Sequence, residues 1–135
     1  MSLTRFTDAQ EGVWPTALAE LKAGRKETHW MWFVFPQLRG LGRSERARFY
    51  GIADLAEARA YLAHPVLGPR LSEAAAAVMA HSGPADRIMG SIDALKLRSS
   101  ATLFAAAGGG DVFERLLSHF YDGPDPATLS LIETS

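Results

Sequence analysis

Two cations, an imidazole and an amide bracket the most apolar run of the sequence. Arg25 and Lys26 precede His29, and Gln37 follows the apolar residues 30–36. Cationic side chains hold phosphate groups through charge-assisted hydrogen bonds, and imidazole and amide groups orient polar ligands. The cluster therefore predicts a site for an anion. In the alternative interpretation, Arg25 and Lys26 only complement the C-terminal end of a preceding helix.

Aromatic rings lie within the same run, at Trp30, Trp32 and Phe35. Any of these three rings can stack on a flat ligand, so the residues predict a surface for a ring such as a nucleobase. Aromatic clusters are more often part of a protein core, and both tryptophans can belong to it.

A second polar series interrupts a segment that is otherwise apolar. In helical geometry its members Asp93, Lys96 and Ser100 share one face. A carboxylate, an amine and a hydroxyl so aligned bind a polar ligand or form an acid/base pair. A surface ion pair between Asp93 and Lys96, with serines facing water, explains the pattern equally well. The series comprises Asp93, Lys96, Arg98, Ser99, Ser100 and Thr102.

Together the two clusters predict a small-molecule-binding protein for a phosphate-bearing or nucleotide-like ligand. Whether a reaction follows binding is left open. The hypothesis requires the loop after Gly24 to lie beside a helix that begins near Ser91. The residues expected to line the site are Arg25, Lys26, His29, Trp30, Trp32, Gln37, Asp93, Lys96, Ser99 and Ser100.

Several common classes of site are missing from the sequence. There is no dinucleotide-binding or Walker-type glycine pattern and no nucleophile elbow. The chain has no cysteine, and its four histidines are far apart, so we predict neither a metal site nor a cofactor. The glycines at 108–110 are interpreted as a helix terminator.

The composition is that of a globular protein. A chain of 135 residues with 47% hydrophobic residues predicts one domain over 1–135, and the absence of cysteine, a signal peptide or a long apolar run predicts a cytoplasmic protein without a membrane partner. The net charge of −1 and a sparse basic cluster argue against nucleic acid. That cluster is Arg39, Arg43, Arg46 and Arg48. The main alternative is a helical protein–protein interaction module with an unknown partner.

Apolar spacing and capping residues predict an all-α, irregular multi-helical bundle. No segment alternates as a strand does. The apolar run at 30–36 fits either a buried strand or a short buried helix, and helix is favoured because no partner strand is visible elsewhere. In the segment from Ile92 to Ala107, Leu95, Leu103 and Phe104 are expected to face the core. Asp111 is expected to cap the next helix. Helices are expected at 3–10, 15–23, 44–50, 54–63, 71–79, 92–107, 112–121 and 126–132.

Extended motifs resemble those of the domain-of-unknown-function 1810 family of bacterial proteins. They are Gly24-Arg25-Lys26, His29-Trp30-Met31-Trp32-Phe33-Val34-Phe35-Pro36-Gln37, Leu41-Gly42, residues 61–71 and residues 96–104. The resemblance covers nearly the whole chain. It implies a mostly α-helical domain and supplies no activity, substrate or catalytic residue. Members are sometimes labelled calpastatin, which does not suit a short, hydrophobic chain because such calpain inhibitors are long, disordered and repetitive.

Overall fold

The computed structural model describes residues 2–134, and the predicted all-α, multi-helical bundle is confirmed. Within this range the chain forms ten helices and no sheet. No helix in this part of the chain combines the length and apolar character that crossing a bilayer requires. The helices are α1 (Thr4–Gln10), α2 (Trp14–Ala23), α3 (Met31–Val34), α4 (Glu45–Tyr50), α5 (Leu55–Ala63), α6 (Leu67–Met79), α7 (Ala85–Met89), α8 (Ser91–Ala106), α9 (Asp111–Phe120) and α10 (Pro126–Thr134).

A row of buried aromatic rings runs through the core. Phe6 of α1 meets Tyr61 of α5 with ring centroids 5.1 Å apart, and Tyr61 meets Phe104 of α8 at 5.3 Å. Phe104 in turn lies 5.8 Å from Phe113 of α9. Tilted and edge-to-face pairs of this kind add attraction to the burial of apolar area. The row therefore links α1 to α5, α8 and α9.

The helix ends agree with the capping residues in the sequence. The Ser44 hydroxyl accepts a hydrogen bond from the Ala47 amide at 3.1 Å, and the Asp54 carboxylate accepts one from Glu57 at 2.9 Å. Each bond satisfies an amide that the helix itself leaves unpaired. The predicted starts of α4 and α5 are thus confirmed.

The apolar run after His29 forms the short buried helix α3, as predicted. Trp30 and Met31 are buried, and Pro36 follows the helix end at Val34. Trp32 is different because it is only half-buried and faces outward. A helix of four residues has one turn, so a single side chain can point away from the core while its neighbours point into it.

One helix was not predicted, and two local expectations were wrong. The sequence did not predict α7 between Gly83 and Gly90. Leu95 does not face the core, since it is 67% exposed on the outer side of α8. Asp111 is the first residue of α9, whose N-cap is Gly110, and its side chain makes no capping bond.

Candidate functional site

The loop between α2 and α3 begins at Gly24, whose backbone is in the left-handed conformation. Gly24 has φ of 75°, and a Cβ there would lie 3.0 Å from the ring of His81. A residue with a side chain would be strained in this conformation, and glycine adopts it without strain, so glycine is needed at this turn. The Lys26 amide then donates to the Ile88 carbonyl of α7 at 2.8 Å. The backbone of the loop is thereby anchored beside the start of α8.

The Glu20 carboxylate of α2 holds the loop through four hydrogen bonds. The Glu20 carboxylate accepts hydrogen bonds from the amides of Glu27 and Thr28 at 2.8 and 3.0 Å, from the Thr28 hydroxyl at 2.7 Å and from the Trp30 indole at 2.9 Å. Burial raises the pKa of Glu20, and these four bonds outweigh burial and lower the pKa to about 2. The carboxylate therefore stays ionised across the physiological range.

Lys26 joins the loop to α8 through an ion pair with Asp93. Its ammonium nitrogen lies 2.9 Å from an Asp93 carboxylate oxygen, and the side chain is only 7% exposed. The same nitrogen donates to the Thr28 carbonyl at 2.6 Å and lies 5.0 Å from the centre of the Trp30 ring. The loop after Gly24 and the start of α8 thus lie side by side, as the binding hypothesis requires.

Lys96 and Trp32 continue this charged network. The Lys96 ammonium lies 3.6 Å from Asp93 and 5.0 Å from the centre of the Trp32 ring. The Arg46 guanidinium of α4 lies 5.0 Å from the same ring. Two cations therefore meet at one half-buried tryptophan, which attracts them through the negative charge of its ring face.

A hollow of about 370 Å³ opens beside Trp32, and we call it the Trp32 slot. Its apolar side consists of Met31, Trp32, Met89 and Ile92. Its polar groups belong to Lys26, His29, Ser91 and Asp93, and the backbone of Gly90 completes it. Apolar surfaces that hold a flat ring, with a few polar groups that orient it, are typical of small-molecule sites.

A second hollow of about 360 Å³, the Lys96 trough, adjoins the slot at Ile92. Lys96 and Gln37 both line it, together with Ser99 from the second polar series. Hydrogen bonds between Ile52 and the backbone on either side of Leu38 hold the Gln37 segment in place. The remaining lining residues are Leu41, Gly42, Leu95, Arg98, Asp125 and Ala127.

Three of the residues expected in the site lie elsewhere. Arg25 is 80% exposed, pairs with Glu27 at 3.5 Å and borders a separate hollow with Pro15. Trp30 is fully buried in the core. Ser100 is 1% exposed, and its hydroxyl has no hydrogen-bond partner among residues 2–134. The candidate site that remains comprises Lys26, His29, Trp32, Gln37, Asp93, Lys96 and Ser99.

Three of the six residues of the second polar series hold the segment before α10. Arg98 donates to the carbonyls of Gly123 and Pro124 at 3.0 and 3.1 Å, and the Thr102 hydroxyl accepts from the Asp125 amide at 2.8 Å. The Ser99 hydroxyl lies 3.3 Å from the Asp125 carboxylate. A helix carries such polar residues on a buried face because they satisfy a loop that has few bonds of its own.

Sequence reasoning did not assign Arg46, Met89 or Ile92 to the site. In the sequence Arg46 is only a member of the sparse basic cluster, and Met89 lies on α7, which was not predicted. Ile92 offered a signal, because it is a large apolar residue next to the polar Ser91 and Asp93 at a helix start. Among the described residues, no group of three histidine, aspartate or glutamate side chains is arranged to hold a metal ion.

Comparison with known proteins places the chain among uncharacterised relatives. The sequence model of the family described as "Protein of unknown function (DUF1810)" matches residues 1–132. The chain is similar to the conserved hypothetical protein Rv1873 from Mycobacterium tuberculosis, whose crystal structure is known. The two sequences are 49% identical, the TM-score of the two structures is 0.96, and the match covers 98% of this chain and 97% of that one. The comparison with curated proteins gives no match.

Proposed function

The chain belongs to the DUF1810 family of proteins of unknown function, and we propose that it binds a small anionic ligand with a flat ring, of the nucleotide class, at the Trp32 slot. The observation that carries the proposal is the pair of cations at Trp32. Lys96 and Arg46 both lie 5.0 Å from its ring. A phosphate group near them would gain charge-assisted hydrogen bonds.

These cations are weakly neutralised by the protein. Arg46 makes no ion pair with any described residue, and the Lys96 ammonium lies 3.6 Å from Asp93, beyond a normal hydrogen bond. Asp93 also pairs with Lys26, so one carboxylate faces two lysines. The three cations and one carboxylate leave an excess of positive charge, which favours an anion.

The slot suits the ring of such a ligand. Its volume of about 370 Å³ lies in the usual range for small-molecule sites, roughly 300–1,000 Å³. The Trp32 ring and the side chains of Met89 and Ile92 supply apolar surface for a planar group. The His29 imidazole and the Ser91 hydroxyl lie in the same hollow and have no side-chain partner among the described residues, which leaves them free to bind polar atoms of the ring or sugar.

We assign Asp93 to positioning rather than to proton transfer, because its carboxylate contacts two ammonium groups. The proposal therefore concerns binding and includes no reaction step. Lys26 holds Asp93 in place, and Asp93 in turn limits where Lys96 can lie.

Isothermal titration with AMP, GMP, ribose 5-phosphate and inorganic phosphate tests the proposal. We expect a nucleotide to bind more tightly than inorganic phosphate, and Lys96→Met to weaken it on the order of tenfold, as for the loss of one charge-assisted hydrogen bond. Lys22→Met is the matched control, since Lys22 is exposed on α2 away from the slot. Absence of binding by every ligand, or equal losses in both variants, contradicts the proposal.

A second candidate is the helical protein–protein interaction module. It is favoured by Ile92 and Leu95, which are 70% and 67% exposed on the same side of α8. Large apolar side chains exposed together often mark a contact surface. Scattering over a concentration series tests self-association. If the mass rises with concentration for the wild type and not for an Ile92→Ser/Leu95→Ser variant, this candidate is supported. A constant monomer mass counts against pairing between copies.

A further inference from the structure

Among the described residues, the Glu20 carboxylate has hydrogen-bond partners only in the segment between α2 and α3. All four of its hydrogen bonds come from Glu27, Thr28 and Trp30. Three of the donors meet one carboxylate oxygen, and the Thr28 hydroxyl meets the other. Glu20 itself is fixed on the last turns of α2, whose Ala17 and Leu21 are in the core. A rigid helix therefore holds the loop through one side chain.

Two groups that Glu20 fixes are also partners of the Lys26 ammonium. The Thr28 carbonyl accepts a hydrogen bond from Lys26 at 2.6 Å, and the Trp30 ring lies 5.0 Å from the same nitrogen. The third partner is Asp93. A flexible lysine chain adopts many rotamers, and these partners select the one that points at α8.

We propose that Glu20 is a positioning residue for the Trp32 slot, where it holds the Thr28 backbone and the Trp30 ring so that Lys26 meets Asp93. The consequence for ligand affinity rests on the function proposed above. The arrangement of Lys26 does not depend on that function, because its contacts with Thr28, Trp30 and Asp93 are all within the protein.

An amide at position 20 disrupts this arrangement although it has the same shape. Glu20→Gln keeps one oxygen, which can accept from the three N–H donors, and turns an NH2 group towards the Thr28 hydroxyl, which must then accept a hydrogen bond instead of donating one. The negative charge is lost, so all of the hydrogen bonds to position 20 lose their charge-assisted strength. We expect the loop to relax and the Lys26 ammonium to lose its fixed partners, while the helical core persists.

The first experiment uses the protein without ligand and observes the Lys26 ammonium by ¹H–¹⁵N correlation NMR. In the wild type its protons should exchange slowly, and the signal is assigned by its loss in Lys26→Met. Glu20→Gln is expected to abolish or shift that signal, and Glu73→Gln, an exposed glutamate on α6, is expected to leave it unchanged. An unaltered Lys26 signal in Glu20→Gln overturns the proposal.

A milder variant covers the case in which Glu20→Gln does not fold. Thr28→Val removes one donor from an exposed loop residue and leaves the Glu20 charge and three bonds in place. We expect a smaller displacement of the Lys26 signal in the same direction. No displacement in this folded variant overturns the proposal as well.

The second experiment is a double-mutant cycle with AMP as the probe. If Glu20 acts through Lys26, Glu20→Gln and Lys26→Met each weaken binding on the order of tenfold, and the double variant is no weaker than Lys26→Met. Losses that multiply in the double variant overturn the positioning role. If AMP does not bind the wild type, the function proposed above fails, and the NMR experiment alone decides the role of Glu20.

Discussion

The ammonium nitrogen of Lys26 lies 2.9 Å from a carboxylate oxygen of Asp93, and this pair joins the loop after α2 to the first turn of α8. The lysine side chain is 7% exposed and the aspartate 20%. A buried charge needs a partner, so the pair limits the relative positions of the two segments. Asp93 also lies near the positive end of the α8 dipole, which favours a carboxylate there.

The two halves of this pair should differ in their effect on stability. Asp93→Asn leaves the buried Lys26 charge without its counter-charge, and we expect the free energy of unfolding to fall by about 2 kcal/mol. Lys26→Met removes the buried charge and leaves Asp93 beside Lys96, so the loss should be smaller. Urea denaturation of the two variants at neutral pH measures both. An equal or larger loss for Lys26→Met contradicts this account of the pair.

Glu20 should make the free energy of unfolding depend on pH below about 4.5. Its pKa in the folded protein is about 2, below the ordinary value of 4.5, so its contribution is complete above pH 4.5 and is lost as the pH falls towards 2. Urea denaturation at several pH values between these limits measures the slope. Glu20→Gln should have a shallower slope than the wild type, and Glu73→Gln should keep the wild-type slope.

Trp32 should report ligand binding by fluorescence. It lines the slot, whereas Trp30 is fully buried and Trp14 lies beside Arg70 on another part of the surface. Addition of AMP is expected to change the emission of the wild type and of Trp14→Phe. The same addition should have little effect on Trp32→Phe. A full response in Trp32→Phe would place the ligand elsewhere.

Removal of Arg98 should loosen the end of the chain. Arg98 donates to the carbonyls of Gly123 and Pro124, so Arg98→Ala should cost about 1–2 kcal/mol and speed amide hydrogen exchange in α10. Arg115→Ala is the control because Arg115 is exposed on α9. Equal exchange in both variants would show that these bonds do not hold the segment.

The sequence by itself determined the helical architecture and most helix ends. Caps such as Ser44 and Asp54 act through amides three residues away, and apolar spacing within one helix is also a local property, so both can be recognised without tertiary contacts. Helix α7 was missed because its five residues, between Pro84 and Gly90, are too few for a periodic pattern.

Only the tertiary structure decided which polar residues share a site. Arg25 and Lys26 are neighbours in the chain, yet one side chain is 80% exposed and the other 7%. Likewise the Trp30 ring lies in the core, where its indole donates a hydrogen bond to Glu20, whereas Trp32 lines the slot. The direction of a side chain from a loop or a one-turn helix depends on long-range partners, and local spacing does not encode them. Residue types thus indicated the chemistry, and packing selected the members of the site.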